Sequence, residues 1–331
     1  MTRPGERLSG PRTLCILKER KDGSVIMDSK EQARMLFEAY NRYMEGLGES
    51  FLSRVTASSD IYTEEFEEEF NSIAGAESDE FFTKPLAGLP AGTPAEFIRS
   101  LGSLDDCMDV FVIASEVSDV QPPRVLLEQL RGFGEEAVVR LRALALAERW
   151  DRSEDSEDFG IRDRMAPNLS AVLTLGQWND KGSMRPILKH FSQASTPDEY
   201  VADVIAEYAE SMGDAITEEL RHILDGAETI RAGGPEESIL IALAKAGSKH
   251  RTEETYQSLR AAFRKAERKI IGALCLGDYG DERAVSLLKN YLDRNNQRVD
   301  REFFYEALTI IRKLGGDISD INDPFGDFGR K

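Results

Sequence analysis

Three histidines, three cysteines and sixty acidic side chains are the groups in this 331-residue chain with which catalysis would begin. His190 and His222 each stand six residues after an apolar anchor, in what read as two neighbouring helices of a repeated hairpin. Stacked helices lie roughly 10 Å apart, whereas zinc–nitrogen bonds are about 2 Å. The pair is therefore too widely set to share one metal ion. Glu219-x-x-His222 has the spacing of one half of a di-iron bundle motif, and no second half accompanies it. His250 lies in a turn rich in Lys and Arg, whose polarity accounts for it. Cys15, Cys107 and Cys275 are odd in number and far apart. That pattern suits reduced thiols in a cytoplasm and not a disulfide framework, with Cys275 read as a small buried hydrophobe. Asp105-Asp106, Asp278 and Asp281 read as helix caps. A GxxxxGKS/T loop, a GxGxxG after a strand, HExxH and CxxC are all absent from the sequence. No catalytic residue, metal site or cofactor is assigned.

The cations are distributed less evenly. Taking the second helix of each hairpin, the sequence places there Arg140 and Arg142, Arg185 and Lys189, Arg221, then Arg260, Arg264 and Lys265, then Arg283 and Lys289. Lys and Arg favour helices and their C-terminal ends in any case. A face that gathers them in an acidic protein also suits an acidic peptide or helix. The candidate binding set is Arg142, Arg185, Lys189, His190, His222, Arg260, Arg264 and Lys289.

The elements that must position these residues are clearest at 266–294, AERKIIGALCLGDYGDERAVSLLKNYLDR. Ile270, Ile271 and Leu274 form one helical stripe and Val285, Leu288 and Leu292 a second. Gly277 and Gly280 between them are suited to the positive-φ turn, and Asp281 to the N-cap. Neither stripe can be buried by its own hairpin, which is why such units come in arrays. Anchors at Val138, Met184, Ile216, Tyr256 and Val285 recur at intervals of 29 to 46 residues, with apolar residues seven further on. Three further on, Leu141, Ile187, Leu259 and Leu288 fit and Glu219 does not. Pro186 is expected in the first turn of its helix. A last helix with Phe304, Leu308, Ile311 and Leu314 is expected to close the array.

The phrase LGDYGDERAVSLL at 276–288 resembles the HEAT repeat, in the short bacterial form of phycocyanobilin-lyase-like proteins. The resemblance implies an all-α fold, an α-α superhelix whose second helices line the concave face.

Ahead of the array, 13–27 reads as a β-hairpin turning at Asp22-Gly23. A helix follows, capped by Ser29 and Gln32, and another covers 61–74 with a glutamate-rich face turned to water. The Pro/Gly-rich 85–94 separates an N-terminal cap (1–84) from a solenoid (95–320), with an irregular tail at 321–331. Residues 151–165, low in apolar content, read as a loop between repeats. Phe325 and Phe328 read as packing over the last repeat, or as a short recognition motif.

With net charge −18 and 31% charged residues, the chain is expected to be soluble and a poor non-specific ligand of nucleic acid or anionic membrane. No apolar run reaches membrane-spanning length and no signal-peptide core is present. The sequence shows no aromatic-rich basic cluster for base stacking. The function expected is a cytoplasmic, non-catalytic scaffold that holds a protein partner in its concave groove. The alternatives are a bilin-lyase-like enzyme, implied by the resemblance alone, and a nucleic-acid-binding HEAT-like protein.

Overall fold

The computed structural model describes residues 18–19, 25–26, 28–55, 64–89, 92–117, 121–147, 150 and 160–326. The protein is all-α. The chain divides into two compact units between Gln129 and Leu130.

In the first unit, Lys18–Glu19 (β1) and Val25–Ile26 (β2) pair antiparallel. The turn expected between them at Asp22-Gly23 lies outside the described residues. Helix α1 (Ser29–Val55) packs on α2 (Glu64–Thr83) and α4 (Leu104–Val117), and α2 packs on α3 (Pro94–Arg99). Tyr40 joins the first pair, its ring 5.2 Å from that of Phe82 and its hydroxyl 2.8 Å from that of Ser78. These contacts carry the unit past the Pro/Gly connection at 85–94. The cap of α1 differs from expectation. Asp28, and not Ser29, accepts from the Glu31 N–H at 2.8 Å, and the Glu31 carboxylate returns to the Asp28 N–H. At α4, Ser103 caps the Asp106 N–H, leaving Asp105 and Asp106 in the first turn. Helix α5 (Arg124–Arg131) ends the stretch.

The second unit contains α6 (Glu135–Ala145), α7 (Gly160–Gln177), α8 (Lys181–Phe191), α9 (Glu199–Met212), α10 (Asp214–Gly226), α11 (Pro235–Gly247), α12 (Glu253–Lys265), α13 (Lys269–Tyr279), α14 (Arg283–Asn295) and α15 (Arg301–Lys313). Helices α7, α9, α11, α13 and α15 pack one on the next, and α8, α10 and α12 do the same beside them. The sequence explains the difference between the rows. Helix α11 meets α9, α10, α12 and α13 and buries Ile239, Leu240, Leu243 and Ala246 around most of its circumference. Helices α10 and α14 bury single stripes, Ile216–Leu220–Leu224 and Ala284–Leu288–Leu292. Each fully buried leucine contributes about 1.5–3 kcal/mol.

Several expectations change here. The buried stripe of α10 falls at Ile216, Leu220 and Leu224, so Glu219 is not a broken core position; it faces Arg185. Gly277 is helical and buried, not a turn residue, and a Cβ there would lie 2.9 Å from Ile310 Cγ2. It is small because α13 and α15 approach closely. Gly280 alone makes the turn, at φ 77°, and the equivalent positive φ is taken by Gly134, Asn179 and Gly213 before α6, α8 and α10. Helix α7 begins at Gly160, so the end of the expected 151–165 loop is helical; 151–159 lie outside the described residues. Pro186 stands in the second turn of α8. Phe325 packs on Phe304, ring centroids 5.7 Å apart, while Phe328 lies outside the described residues. Among the described residues no helix is long and apolar enough to cross a membrane.

Candidate functional site

Helix α14 meets α13 and α15 and α12 meets α13, but α12 and α14 do not pack along one another as α10 does with α8 and α12. The space between them is a groove of about 570 Å³. Helix α12 lines it with Tyr256, Gln257, Arg260, Phe263 and Arg264, and α14 with Arg283, Ser286, Leu287, Asn290, Tyr291, Arg294 and Asn295. Those spacings are the i, i+4, i+7 pattern of one helical face on each side. The buried stripes Leu259–Ala262 and Ala284–Leu288–Leu292 turn away from it into the core.

The floor is aromatic and mostly covered, with Tyr291 half-buried. Phe263, only 1% exposed, meets Tyr291 edge-on at 5.2 Å, and Tyr291 meets Phe303 at 5.2 Å. Tyr256 is 4% exposed, with the Arg283 guanidinium over its ring at 4.0 Å. Burial pushes both tyrosine phenols, 256 and 291, above their ordinary pKa.

No Asp or Glu lines this groove, and four arginines do. Their states differ. Arg283 is neutralised locally: it donates to both carboxylate oxygens of Asp281, at 2.9 and 2.7 Å, and to Glu253. Its guanidinium holds the carboxyls of Asp281 and Glu253 below the usual range. Among the described residues Arg260 donates to the side-chain oxygen of Gln257, at 3.2 Å, and meets no carboxylate. Arg264 and Arg294 are exposed and meet no carboxylate among the described residues. Arg260 and Arg264 stand one turn apart, an arrangement of like charges that costs a helix about 0.2–0.5 kcal/mol. The amide groups offer the groove few donors, because Asn290 donates to the Ser286 carbonyl and Asn295 to the Tyr291 carbonyl.

Of the eight residues in the sequence-derived set, only Arg260 and Arg264 meet in this groove. Arg142 is turned inward, donating to Asp180 and Ser183 at 2.9 Å each. Arg185 makes a two-pronged bond to Glu219 at 3.2 and 2.8 Å. Lys189 and His222 are exposed. The His190 ring stands edge-on to buried Trp150, centroids 4.6 Å apart, so the two histidines are not equivalent. Lys289 pairs with Asp320 at 2.7 Å, in a second concavity of about 390 Å³ against residues 320–322. Sequence reading missed Arg294 and the tyrosines as partners of Arg260. The available signal was the run 283, 287, 290, 294 on one face of α14. The aromatic-rich basic cluster that no single stretch displays is assembled by the fold from two helices.

Burial pushes the Cys107 thiol up to about 11 and the Cys275 thiol higher still, so neither is a ready nucleophile. Among the described residues no group of three or more His, Cys, Asp or Glu side chains is arranged to hold a metal. No family model matches the chain, and no curated protein or solved structure matches it either.

Proposed function

We propose that this chain is a binding protein that holds an acidic segment of a partner protein between α12 and α14. In this reading the two rows of helices in the second unit are a HEAT-like α-α superhelix, and the paired strands near the N-terminus belong to a small cap. The second helices would then line the concave face. One observation carries the proposal: Arg260, Arg264 and Arg294 face a groove without a lining carboxylate, in a chain of net charge −18. Arg142, Arg185 and Arg283, by contrast, are each paired with a carboxylate at close range. A groove left positive is complementary to an anionic partner and steers it in.

A nucleic-acid strand is the weaker occupant. Stacking needs open ring faces, and the rings of Tyr256 and Phe263 are covered.

The test is affinity capture by the tagged protein at low salt, compared with R260E/R264E. A partner retained by the wild type, released as salt rises and absent from the variant is the expected result. Equal retention by both proteins contradicts the groove.

A further inference from the structure

We infer that the group seated between Arg260, Arg264 and Arg294 is a phosphate monoester: a phosphorylated serine or threonine in the partner segment. This rests on the partner-binding reading above and specifies the chemistry of its contact.

The groove offers few contacts other than charge. Phe263 and Tyr256 are almost wholly buried, and only the half-buried Tyr291 and Leu287 offer an occupant apolar contact. The amide nitrogens of Asn290 and Asn295 are bonded to the chain's own carbonyls, and that of Gln257 to the Glu253 carboxylate. What remains is guanidinium. Every cation lining the groove is arginine, the side chain whose planar fork matches phosphate and carboxylate oxygens two at a time. Three of the four meet no carboxylate among the described residues, and two of them stand one turn apart on α12. A single carboxylate brings one negative charge. A phosphate monoester brings about 1.5 to 2 charges and three acceptor oxygens to one point. It therefore satisfies several guanidiniums at once and relieves the repulsion between Arg260 and Arg264.

The pH response separates the two chemistries. The charged groups facing the seat are Arg260, Arg264, Arg294 and Arg283, the last with Asp281 and Glu253; the phenols are Tyr256 and Tyr291. The phenols titrate above their ordinary range and the two carboxylates below theirs. None of these changes charge near neutrality, whereas the second ionisation of a phosphate monoester lies at about pH 6.

The probe is a pool of short fluorescein-labelled peptides of degenerate sequence with a fixed central phosphoserine, followed by anisotropy on the full chain. Parallel arms carry serine or glutamate at that position, and one arm titrates inorganic phosphate alone. The phosphoserine pool is expected to bind at least about tenfold more tightly than either other pool, the weight of a charged hydrogen bond. R260Q/R264Q and R294Q, checked for folding by circular dichroism, are each expected to lose that margin. K249Q, outside the groove, should keep it. Binding of the phosphoserine pool should weaken from about pH 7.5 to about 5.5 while glutamate binding stays level. Equal affinity of the glutamate and phosphoserine pools overturns the phosphate assignment and leaves the acidic-segment reading standing. Inorganic phosphate binding as tightly as the pool overturns the peptide source. Phosphoserine binding unchanged in both groove variants overturns the site.

Discussion

Arg283 lies over the ring of Tyr256, its guanidinium carbon 4.0 Å from the ring centroid, while the same guanidinium bonds Asp281 and Glu253. Tyr256 and Glu253 belong to α12 and Arg283 to α14, so one side chain ties the two walls at the N-terminal end of the groove. Replacing Arg283 by Gln removes the stacking and both ion pairs; replacing it by Lys keeps a charge but loses the planar fork. The thermal midpoint is expected to fall in both variants and further for R283Q, measured by circular dichroism.

The same contact has a pH signature. Arg283 depresses the pKa values of Asp281 and Glu253. A carboxyl depressed in the folded state contributes stability that is full above its unfolded pKa, about 3.9–4.3, and is lost as pH falls through the folded value. The stability difference between wild type and R283Q should therefore be constant near neutrality and shrink below about pH 4. Urea titrations across that range give the check. A difference that grows on acidification would contradict the contact.

Asp180 follows the same rule at another place. Burial raises its pKa, but the hydrogen bonds from Ser183 and Arg142 outweigh burial and leave it lowered. D180N is expected to flatten the acid limb of the stability curve, with the loss again confined to pH values above the folded pKa.

The two faces of α14 predict responses of different size to the same substitution. Leu288 is fully buried and Leu287 lines the groove. Leu288→Ala should cost about 2–5 kcal/mol by opening a cavity, and Leu287→Ala a fraction of that. Equal costs in chemical denaturation would mean that the face is wrongly assigned.

Gly277 gives a packing test. A Cβ there falls 2.9 Å from Ile310 Cγ2 and 3.2 Å from its Cγ1. Gly277→Ala is expected to destabilise by about 1–3 kcal/mol through overpacking, and Ile310→Ala, which removes both γ carbons facing that position, to cost less in the Gly277→Ala background than in the wild type. Stabilisation by the single substitution, as helix propensity alone would give, would contradict the close approach.

These last two residues also mark how far the sequence could be read. The apolar period of Val285, Leu288 and Leu292 is a local property that predicts the helix, and Leu288 and Leu292 are buried as it expects, but Ala284 takes the place of Val285, which is only half-buried. Gly277 sits one residue beyond a helical pattern, where a turn and a close helix contact ask for the same residue. Only the position of α15 decides between them. Glu219 looked like a flaw in a repeat because a one-residue change of register is invisible without the partner that Glu219 binds, Arg185. The groove was half legible for a similar reason. Arg260 and Arg264 can be grouped from one helix, but their meeting with Arg294 and Tyr291 depends on how far α12 and α14 stand apart. The inward turn of Arg142 depends on Asp180 and Ser183, on another helix and its cap. Charge counts along the chain do not distinguish a cation already paired from one left open.

The central claim is that a partner protein occupies the space between α12 and α14. Its most direct test is site-specific photo-crosslinking, with a photoreactive phenylalanine analogue at Leu287 in the groove or at Lys313 on α15. The account predicts one defined adduct from position 287, lost in R260E/R264E, and none from 313. An adduct that forms equally from both positions, or that survives the loss of both arginines, would contradict it.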